Sequence, residues 1–392
     1  MPSFAQFKGI RNTVPAERLE DDDLAAAVNV DLDDTGRVTR RPGRALVSAG
    51  AADSLFSNGT LRLFRRSNGL YRLNEDNSAT LLRSGVVNRV SYWAEAGAIY
   101  YSDELVTGVI ERDGSVHGWG VTPPAWTPPV AVVDGSLPTG RYQLAMTYLR
   151  RDGEESGASR AAVLESASGG LSFTSLPVSP DPDVDRKVIY LTRPNGKTLY
   201  RALVLANATT AATYRGDTTD LLAALETQFK QPPPAPSCMG MLNGRMVIGA
   251  DRFVLFSDAY RPERFDPVRQ QYQFADRVTM VAPVKGGVFV GTDKEIAFLA
   301  GEDIAEAVYV RKFDRGALRG SLAYVDADNT KLEAEGPVAV FATQGGICVG
   351  AAGGAFANLT SGRYVYDEAV GAAGAVRLRN SLNQYIAVLR GA

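Results

Sequence analysis

Two stretches in the last third of the chain, Gly286-Gly-Val-Phe-Val-Gly291 and Gly345-Gly-Ile-Cys-Val-Gly350, share one pattern. In each, a glycine pair opens a short apolar run, and a brief turn leads to a second apolar run. Glycine clusters mark turns, and short apolar runs bounded by turns are typical of buried β-strands. Both stretches therefore predict a pair of antiparallel strands.

The same pattern recurs along the chain. Its anchors are Gly59, Gly97, Gly244, Gly287, Gly346 and Asn383. Successive anchors lie 38, 147, 43, 59 and 37 residues apart. A period near 40 residues with four short strands per unit is typical of a β-propeller blade. The sequence therefore predicts an all-β protein built as a β-propeller.

The interval of 147 residues contains an insertion. It exceeds one unit by about 105 residues, which is the size of an immunoglobulin-like or fibronectin-like β-sandwich. Proline clusters flank this excess, and prolines cannot continue a hydrogen-bonded ladder but make stiff linkers. We therefore predict that residues 1–122 form the N-terminal segment and first blades. Residues 123–236 form the inserted β-sandwich with its Pro-rich linkers, and residues 237–392 form the blades that close the ring.

Composition narrows the class of protein. The 392 residues are 45% apolar and 22% charged, which is ordinary for a globular protein. The net charge of −2 argues against a chain that grips nucleic acid as a polycation. No apolar stretch is long enough for a membrane helix, and the opening residues lack the apolar region of a signal peptide. We expect the chain to fold in a cytosol.

Several segments carry a family resemblance. At the N-terminal end they are Phe7-Lys-Gly-Ile-Arg-Asn12, Asn29-Val-Asp-Leu-Asp-Asp-Thr-Gly36 and Arg41-Pro-Gly43; farther on they are Asp152-Gly-Glu-Glu-Ser-Gly157, Ile189-Tyr-Leu-Thr-Arg193-Pro-Asn-Gly196, Phe256-Ser-Asp258 and Phe265-Asp-Pro267. These segments resemble tail proteins of bacteriophages. The family they resemble is that of the tail nozzle proteins of short-tailed phages, also called tail hub or packaged-DNA stabilisation proteins.

The resemblance implies a structural virion protein. In that family, six propeller subunits ring the DNA channel below the portal and adaptor, and a tail needle or plug lies beyond. It implies that this chain forms a homo-hexamer, contacts portal, adaptor and needle, plug or fibre proteins, and touches DNA transiently. Such a ring helps to retain the genome and then release it during DNA ejection. The expected location is the viral tail, after assembly in the bacterial host cytoplasm and without stable membrane insertion.

Two alternative functions stay open. A tail-tip or fibre-docking module that binds a host receptor would expose clustered aromatic side chains, and Trp93, Trp119 and Trp126 are the only tryptophans. A propeller glycoside hydrolase would place two carboxylates within about 5–10 Å of each other at the propeller axis.

Motifs with a chemical interpretation also have simpler structural ones. Residues 31–36 and 326–330 resemble calcium loops, but Pro42 and Pro337 stand where a glutamate ligand is required, so we predict a hairpin turn at 31–36. The glycines of 345–354 do not form a nucleotide-binding pattern. The sequence therefore predicts neither metal nor cofactor.

The remaining candidates are nucleophiles and charged clusters. Cys348 could pair only with the single histidine, His117, and we predict that Cys238 and Cys348 are small buried hydrophobes. We predict solvated turns for Glu154, Glu155, Asp183, Asp185 and residues 21–23. For the basic stretch Arg37, Arg40, Arg41 and Arg44, opposed by the acidic run 20–23, we favour a solvated or subunit-contact surface over a nucleic-acid contact. Since no catalytic constellation emerges, we predict that the chain is not an enzyme. Residues 218–226 predict one short helix.

Overall fold

The computed structural model describes residues 7–32, 35–43, 45–47, 50–127, 129–326, 335–379 and 382–391. Over these ranges the chain is built almost entirely of β-strands, and its helical elements are 3-10 turns of three residues. None of the helices in these ranges is long and apolar enough to cross a membrane. The predicted all-β class is confirmed.

The N-terminal segment forms two short strand pairs. Strand β1 (Gly9–Ile10) runs parallel to β2 (Asp23–Leu24), and β3 (Val30–Leu32) forms an antiparallel hairpin with β4 (Val38–Arg40). A 3-10 turn at Ala16–Arg18 precedes β2. The β3–β4 hairpin confirms the prediction for residues 31–36, of which 33 and 34 lie outside the described ranges. Residues 327–334, within the second calcium-like motif and beyond, also lie outside them.

Two four-stranded antiparallel sheets follow, which we name blades 1 and 2. Blade 1 consists of β5 (Asp53–Ser57), β6 (Arg62–Arg66), β7 (Gly69–Leu73) and β8 (Ala79–Ser84). Blade 2 consists of β9 (Ser91–Glu95), β10 (Ala98–Ser102), β11 (Thr107–Ile110) and β12 (Val116–His117). Leu70 of blade 1 and Ile99 of blade 2 belong to one buried apolar cluster, so the two blades pack face to face.

The insert follows blade 2 and forms a separate antiparallel sheet. Its strands are β13 (Val130–Arg150), β14 (Ala162–Phe173), β15 (Val184–Thr192), β16 (Leu199–Ala206) and β17 (Ala212–Tyr214), in the order β16-β15-β13-β14-β17. Irregularities in the pairing of β13 with β14 fall between Val133 and Tyr142. Such irregularities bend a sheet. Leu144 on β13, Phe173 on β14 and Ile189 on β15 belong to one buried core, so the bent sheet encloses a common set of apolar side chains.

The predicted helix at 218–226 is wrong beyond its first turn. Only Thr218–Asp220 forms a 3-10 turn, and the chain then runs extended beside β16. The amides of Leu222 and Leu225 donate to the carbonyls of Arg201 and Leu199 at 2.9 and 2.8 Å. Because β16 offers these main-chain partners, pairing with its edge outweighs the local helix preference.

Three more blades follow the insert. Blade 3 contains β18 (Cys238–Leu242), β19 (Arg245–Ala250), β20 (Phe253–Asp258), β21 (Arg261–Phe265) and β22 (Gln271–Gln273). Blade 4 contains β23 (Val278–Val284), β24 (Gly287–Thr292), β25 (Ile296–Ala300) and β26 (Val308–Phe313). Blade 5 contains β27 (Ala323–Asp326), β28 (Pro337–Thr343), β29 (Gly346–Ala351) and β30 (Ala355–Asn358). Two further 3-10 turns lie at Ile304–Glu306 and Ala352–Gly354. Buried clusters join blade 2 to 3, blade 3 to 4 and blade 4 to 5. The predicted propeller with an insert is confirmed.

The glycine anchors lie at corresponding turns in all but one blade. In blades 1 to 4 the anchor lies between the first and second strands, whereas Gly346 lies between the second and third strands of blade 5. Strand β27, added at the inner edge of blade 5, accounts for the long interval between Gly287 and Gly346. The last hairpin, β31 (Ala369–Arg379) and β32 (Leu382–Gly391), packs against blade 5.

Candidate functional site at the propeller axis

The first strands of blades 2 to 5 meet at the propeller axis and fill it with side chains. The rings of Trp93 on β9 and Tyr324 on β27 meet edge to face, with centroids 6.4 Å apart. The Tyr324 hydroxyl donates to the carbonyl of Pro283 on β23 at 3.2 Å. A Cβ atom at Gly240 on β18 would lie 2.7 Å from Cδ of Pro283, so the packing requires a glycine there. At this level the axis is a packed core.

At one end of the axis lies a charged cluster that we name the axial mouth: Arg89, Glu104, Arg277 and Arg319. The three arginines lie shortly before β9, β23 and β27, and Glu104 lies in the turn between β10 and β11. In an antiparallel blade, the start of the first strand and the turn between the second and third strands lie at the same end. The Glu104 carboxylate accepts hydrogen bonds from Arg277 and Arg319 and so connects blade 2 with blades 4 and 5.

Arg89 adds a further positive charge to the axial mouth. Its Nη1 and Nη2 donate to the carbonyls of Arg319 and Ala372 at 3.2 and 2.5 Å, and Nη2 of Arg319 donates back to the Arg89 carbonyl at 3.4 Å. Burial and the charges of Arg319 and Arg390 lower the pKa of Arg89, and the charge of Asp53 opposes this effect. Asp53 itself is paired with Arg65. The mouth therefore holds three guanidinium groups around one carboxylate.

These four residues were not among the residues predicted from the sequence, although two of them share a sequence pattern. Arg89-Val-Ser91 and Arg277-Val-Thr279 occupy matching positions at the starts of β9 and β23. Extending the glycine-based alignment upstream would have found this pair. Arg319 and Glu104 carry no comparable pattern, and only the closing of the ring brings them together.

A second charged site fixes the insert to blade 2. Arg150, at the end of β13, is buried and pairs with Glu154 and Asp181 at 2.7 Å each. It also donates to the carbonyls of Gly118 and Gly120, in the segment after β12, at 3.2 and 3.4 Å. Burial raises the pKa of Glu154 to about 7, although the charge of Arg150 opposes that shift. One buried guanidinium thus connects the insert with the propeller.

The segments that enter and leave the insert are also held in place. Trp119 is buried beside Tyr100 and Phe265, and its Nε1 donates to the carbonyl of Pro262 at 2.9 Å. Gln231, on the way out, pairs with Phe265 through two main-chain hydrogen bonds of 2.9 and 3.0 Å. The insert is therefore braced on blades 2 and 3 at both of its ends.

The structure separates the only cysteine–histidine pair considered from the sequence. His117 lies 2.8 Å from Glu111 and 3.0 Å from the carbonyl of Gly118, whereas Cys348 is buried beside Thr343. Burial raises the pKa of Cys348 and of the half-buried Cys238 to about 11. Both cysteines are free thiols with little thiolate at neutral pH, which agrees with their prediction as small hydrophobes.

Some acidic residues predicted to lie in solvated turns are half-buried hydrogen-bond and ion-pair partners instead. Glu154 pairs with Arg150, and Glu155 accepts hydrogen bonds from Thr147 and Tyr190 at 2.6 and 2.7 Å. The prediction is wrong for both because strands β13 and β15 place polar partners beside this turn. Asp185 is partly exposed and pairs with its neighbour Arg186, and Asp183 is also only partly exposed.

The N-terminal segment is held against the end of blade 5. Asp23, whose carboxylate is buried, pairs with Arg363 at 2.5 Å and Arg11 at 3.1 Å, so it is no solvated turn residue. Asn12 exchanges two hydrogen bonds, of 2.8 and 3.0 Å, with the main chain of Val365. Asp31 pairs with Arg377 of β31 at 2.8 Å and with Arg41 at 2.7 Å. Of the arginines predicted to form a solvated or subunit-contact surface, Arg40 is exposed and Arg37 interacts with other residues. Arg44 lies outside the described ranges.

Comparisons with known proteins give no family. No protein-family model matches the chain, and no curated protein matches it. Similar solved structures include BBS1N in complex with ARL6DN, at 11% identity over 87% of this chain and 91% of that one, with a TM-score of 0.35. Sqt1 of Saccharomyces cerevisiae is 11% identical over 73% of this chain and 79% of that one, with a TM-score of 0.24. Apo AztD of Citrobacter koseri is 11% identical over 84% of this chain and 90% of that one, with a TM-score of 0.27. Such low scores add nothing, so the fold assignment rests on the sheets described above.

Proposed function

We propose that this chain is a structural subunit of a phage tail nozzle: a ring, expected to be a homo-hexamer, that continues the DNA channel below the portal and adaptor. The observation that carries the proposal is the combination of a filled propeller axis with a braced insert. Trp93 and Tyr324 occupy the axis, and Arg150 connects the insert with the propeller. Such a body offers two surfaces in a fixed relation, as a ring subunit needs for its neighbours.

In this proposal DNA passes between subunits, at the centre of the ring, and never through the propeller itself. A ring of this kind requires a heterologous interface that repeats with cyclic symmetry. The near-neutral chain, with a net charge of −2, suits a channel wall because strong positive charge would hold the DNA in place. Portal and adaptor proteins contact one rim of the ring, and needle, plug or fibre proteins contact the other.

The N-terminal segment supports the same proposal. The stretches within residues 7–43 carry much of the family resemblance, and this segment is docked on residues 362–365 and on β31. It is thus part of the propeller body and adds a surface beside the last hairpin. Removal of residues 1–43 is expected to weaken ring assembly because it exposes the face that Asn12 and Asp23 cover.

The tryptophans give no support to the receptor-binding alternative. Trp119 and Trp126 are 2% and 6% exposed, and Trp93 packs on Tyr324 at the axis. The three tryptophans therefore serve as packing residues. A hydrolase would need two neighbouring carboxylates at the axis, whereas the carboxylate of the axial mouth, Glu104, is paired with Arg277 and Arg319.

The proposal is tested by co-expressing the chain with the portal and adaptor proteins of the same phage genome, followed by size-exclusion chromatography. We expect one complex that contains all three proteins. The matched control is the chain without residues 1–43, which should elute separately. Full-length chain that never co-elutes with either protein would overturn the nozzle assignment.

A further inference from the structure

We propose that the axial mouth binds a compact multivalent phosphate anion such as pyrophosphate. Its four side chains are a set of three guanidinium groups and one carboxylate, brought together from four separate segments of the chain. Arg277 and Arg319 share Glu104, and within the described ranges no ion pair joins Arg89 to a carboxylate. The cluster therefore carries excess positive charge.

The arginines are held in place before any ligand arrives. Arg89 and Arg319 each donate to the other's main-chain carbonyl, and Arg89 also donates to Ala372. Two carbonyl bonds leave further N–H groups of Arg89 for another acceptor. Nε of Arg319 is buried and has no hydrogen-bond partner among the described residues. Pre-positioned donors with unused capacity favour an anion, because little side-chain freedom is lost on binding.

Exposure shows how a ligand would enter. The Arg277 side chain is 48% exposed, whereas those of Arg319 and Glu104 are 22% and 23% exposed. Arg277 thus forms the solvent side of the cluster, and Arg319 forms its inner side. Trp93 lies on β9, beyond Arg89 in the chain, and closes the axis with Tyr324. A ligand would therefore reach the cluster from the Arg277 side and could not thread the axis.

The chemistry of the donors selects the ligand class. A guanidinium group presents a planar fork that matches the oxygens of a phosphate group. Because three such groups surround one carboxylate, a divalent or more highly charged anion balances the cluster better than chloride does. The anion would join blades 2, 4 and 5, as Glu104 already does, so binding should stabilise the folded chain.

The test is isothermal titration calorimetry with sodium pyrophosphate at constant ionic strength, alongside melting curves. We expect one saturable site per chain and a rise in melting temperature. Arg277→Gln should weaken binding at least tenfold. The matched control is Arg252→Gln, which removes another exposed arginine. The Arg252 side chain makes one long hydrogen bond, to the carbonyl of Ala275 at 3.5 Å. It should leave the affinity unchanged.

Glu104→Gln distinguishes a ligand site from a purely structural cluster. Removal of the competing carboxylate should tighten pyrophosphate binding and enlarge the stabilisation that pyrophosphate gives. A cluster that only holds the blades together would lose stability in this variant with no gain from the anion. If Glu104→Gln does not fold, the comparison of Arg277→Gln with Arg252→Gln decides.

Three results would overturn the proposal. They are the absence of a saturable site in the unmodified chain, equal affinities in the Arg277 and Arg252 variants, and binding of a short DNA strand through Arg277 when pyrophosphate does not bind. The last result would assign the cluster to the DNA backbone in place of a compact free anion.

Discussion

The indole ring of Trp93 in blade 2 and the phenol ring of Tyr324 in blade 5 meet edge to face across the propeller axis, 6.4 Å apart at their centroids. The two residues are far apart in sequence, and their blades are not neighbours in the ring. Their contact therefore exists only when the blades between them are in place. It makes the axis a core on which the stability of the whole propeller depends.

Trp93→Ala should lower the free energy of unfolding by about 3 kcal/mol, because it removes a large aromatic side chain from a packed position. Urea denaturation followed by circular dichroism measures the loss. Tyr324→Phe is the matched control: it keeps the ring and removes only the hydrogen bond to Pro283, so about 1 kcal/mol is expected. A Trp93→Ala loss no larger than that of the control would show that the axis is not packed as described.

Gly240→Ala should be destabilising by about 1–3 kcal/mol, because its methyl group would lie 2.7 Å from Cδ of Pro283. Gly371→Ala is the control, since a Cβ atom there has no neighbour within 4 Å. Thermal melting of the two variants compares them directly. Equal melting temperatures would contradict the close approach of β18 and β23.

Arg150→Met should cost about 3–5 kcal/mol, because it leaves Glu154 and Asp181 partly buried without their cation. Arg141→Met is the control: its partner Glu165 is 71% exposed, and an exposed pair contributes little. Limited proteolysis should also cut Arg150→Met first in the segments that flank the insert. Cleavage elsewhere, with an insert as resistant as in the unmodified chain, would contradict the bracing role.

The same junction should make stability depend on pH. The pKa of Glu154 rises on folding from an ordinary 4.5 to about 7, so the folded chain holds this proton more tightly than the unfolded chain does. Stability from this group is therefore present in acid and lost as the pH rises from 4.5 to 7. Burial lowers the pKa of His117, but its hydrogen bonds with Glu111 and Gly118 outweigh this effect, so the pKa rises on folding. The contribution of His117 to stability is therefore also present in acid and lost as the pH rises.

Urea denaturation at pH 5 and pH 8 measures this dependence. Glu154→Gln should make the difference between the two free energies of unfolding smaller than in the unmodified chain. Glu165→Gln, which changes an exposed carboxylate, should leave the difference as it is. An unchanged difference in Glu154→Gln would show that Glu154 does not hold a proton in the folded chain near neutral pH.

The repeated part of the fold and the presence of an insert could be predicted from the sequence, whereas elements that break the pattern could not. The glycine turns at Gly97, Gly244 and Gly287 repeat because each blade needs the same tight turn, and local pattern carries that information. The helix predicted at 218–226 failed because its partner, β16, lies outside the segment. Strand β27 was not predicted either, because it lengthens the interval between Gly287 and Gly346 and so departs from the period.

Apart from the matching pair Arg89 and Arg277, the residues of the charged sites could not be predicted, for a related reason. Glu104 and Arg319 are separated by two whole blades and the insert, and the ion pair between them depends on the complete ring. No sequence pattern singled out Arg150, and only the packing of the insert on Gly118 and Gly120 shows its role. The residue pattern within a segment predicts where strands form, whereas contacts between distant segments can be identified only from the folded structure.

The most direct test of the nozzle proposal is the native mass of the chain, measured alone and with co-expressed portal and adaptor proteins. We predict that these partners drive the chain into a closed ring, with six copies as the expected number. A chain that stays monomeric in the presence of both proteins would contradict it.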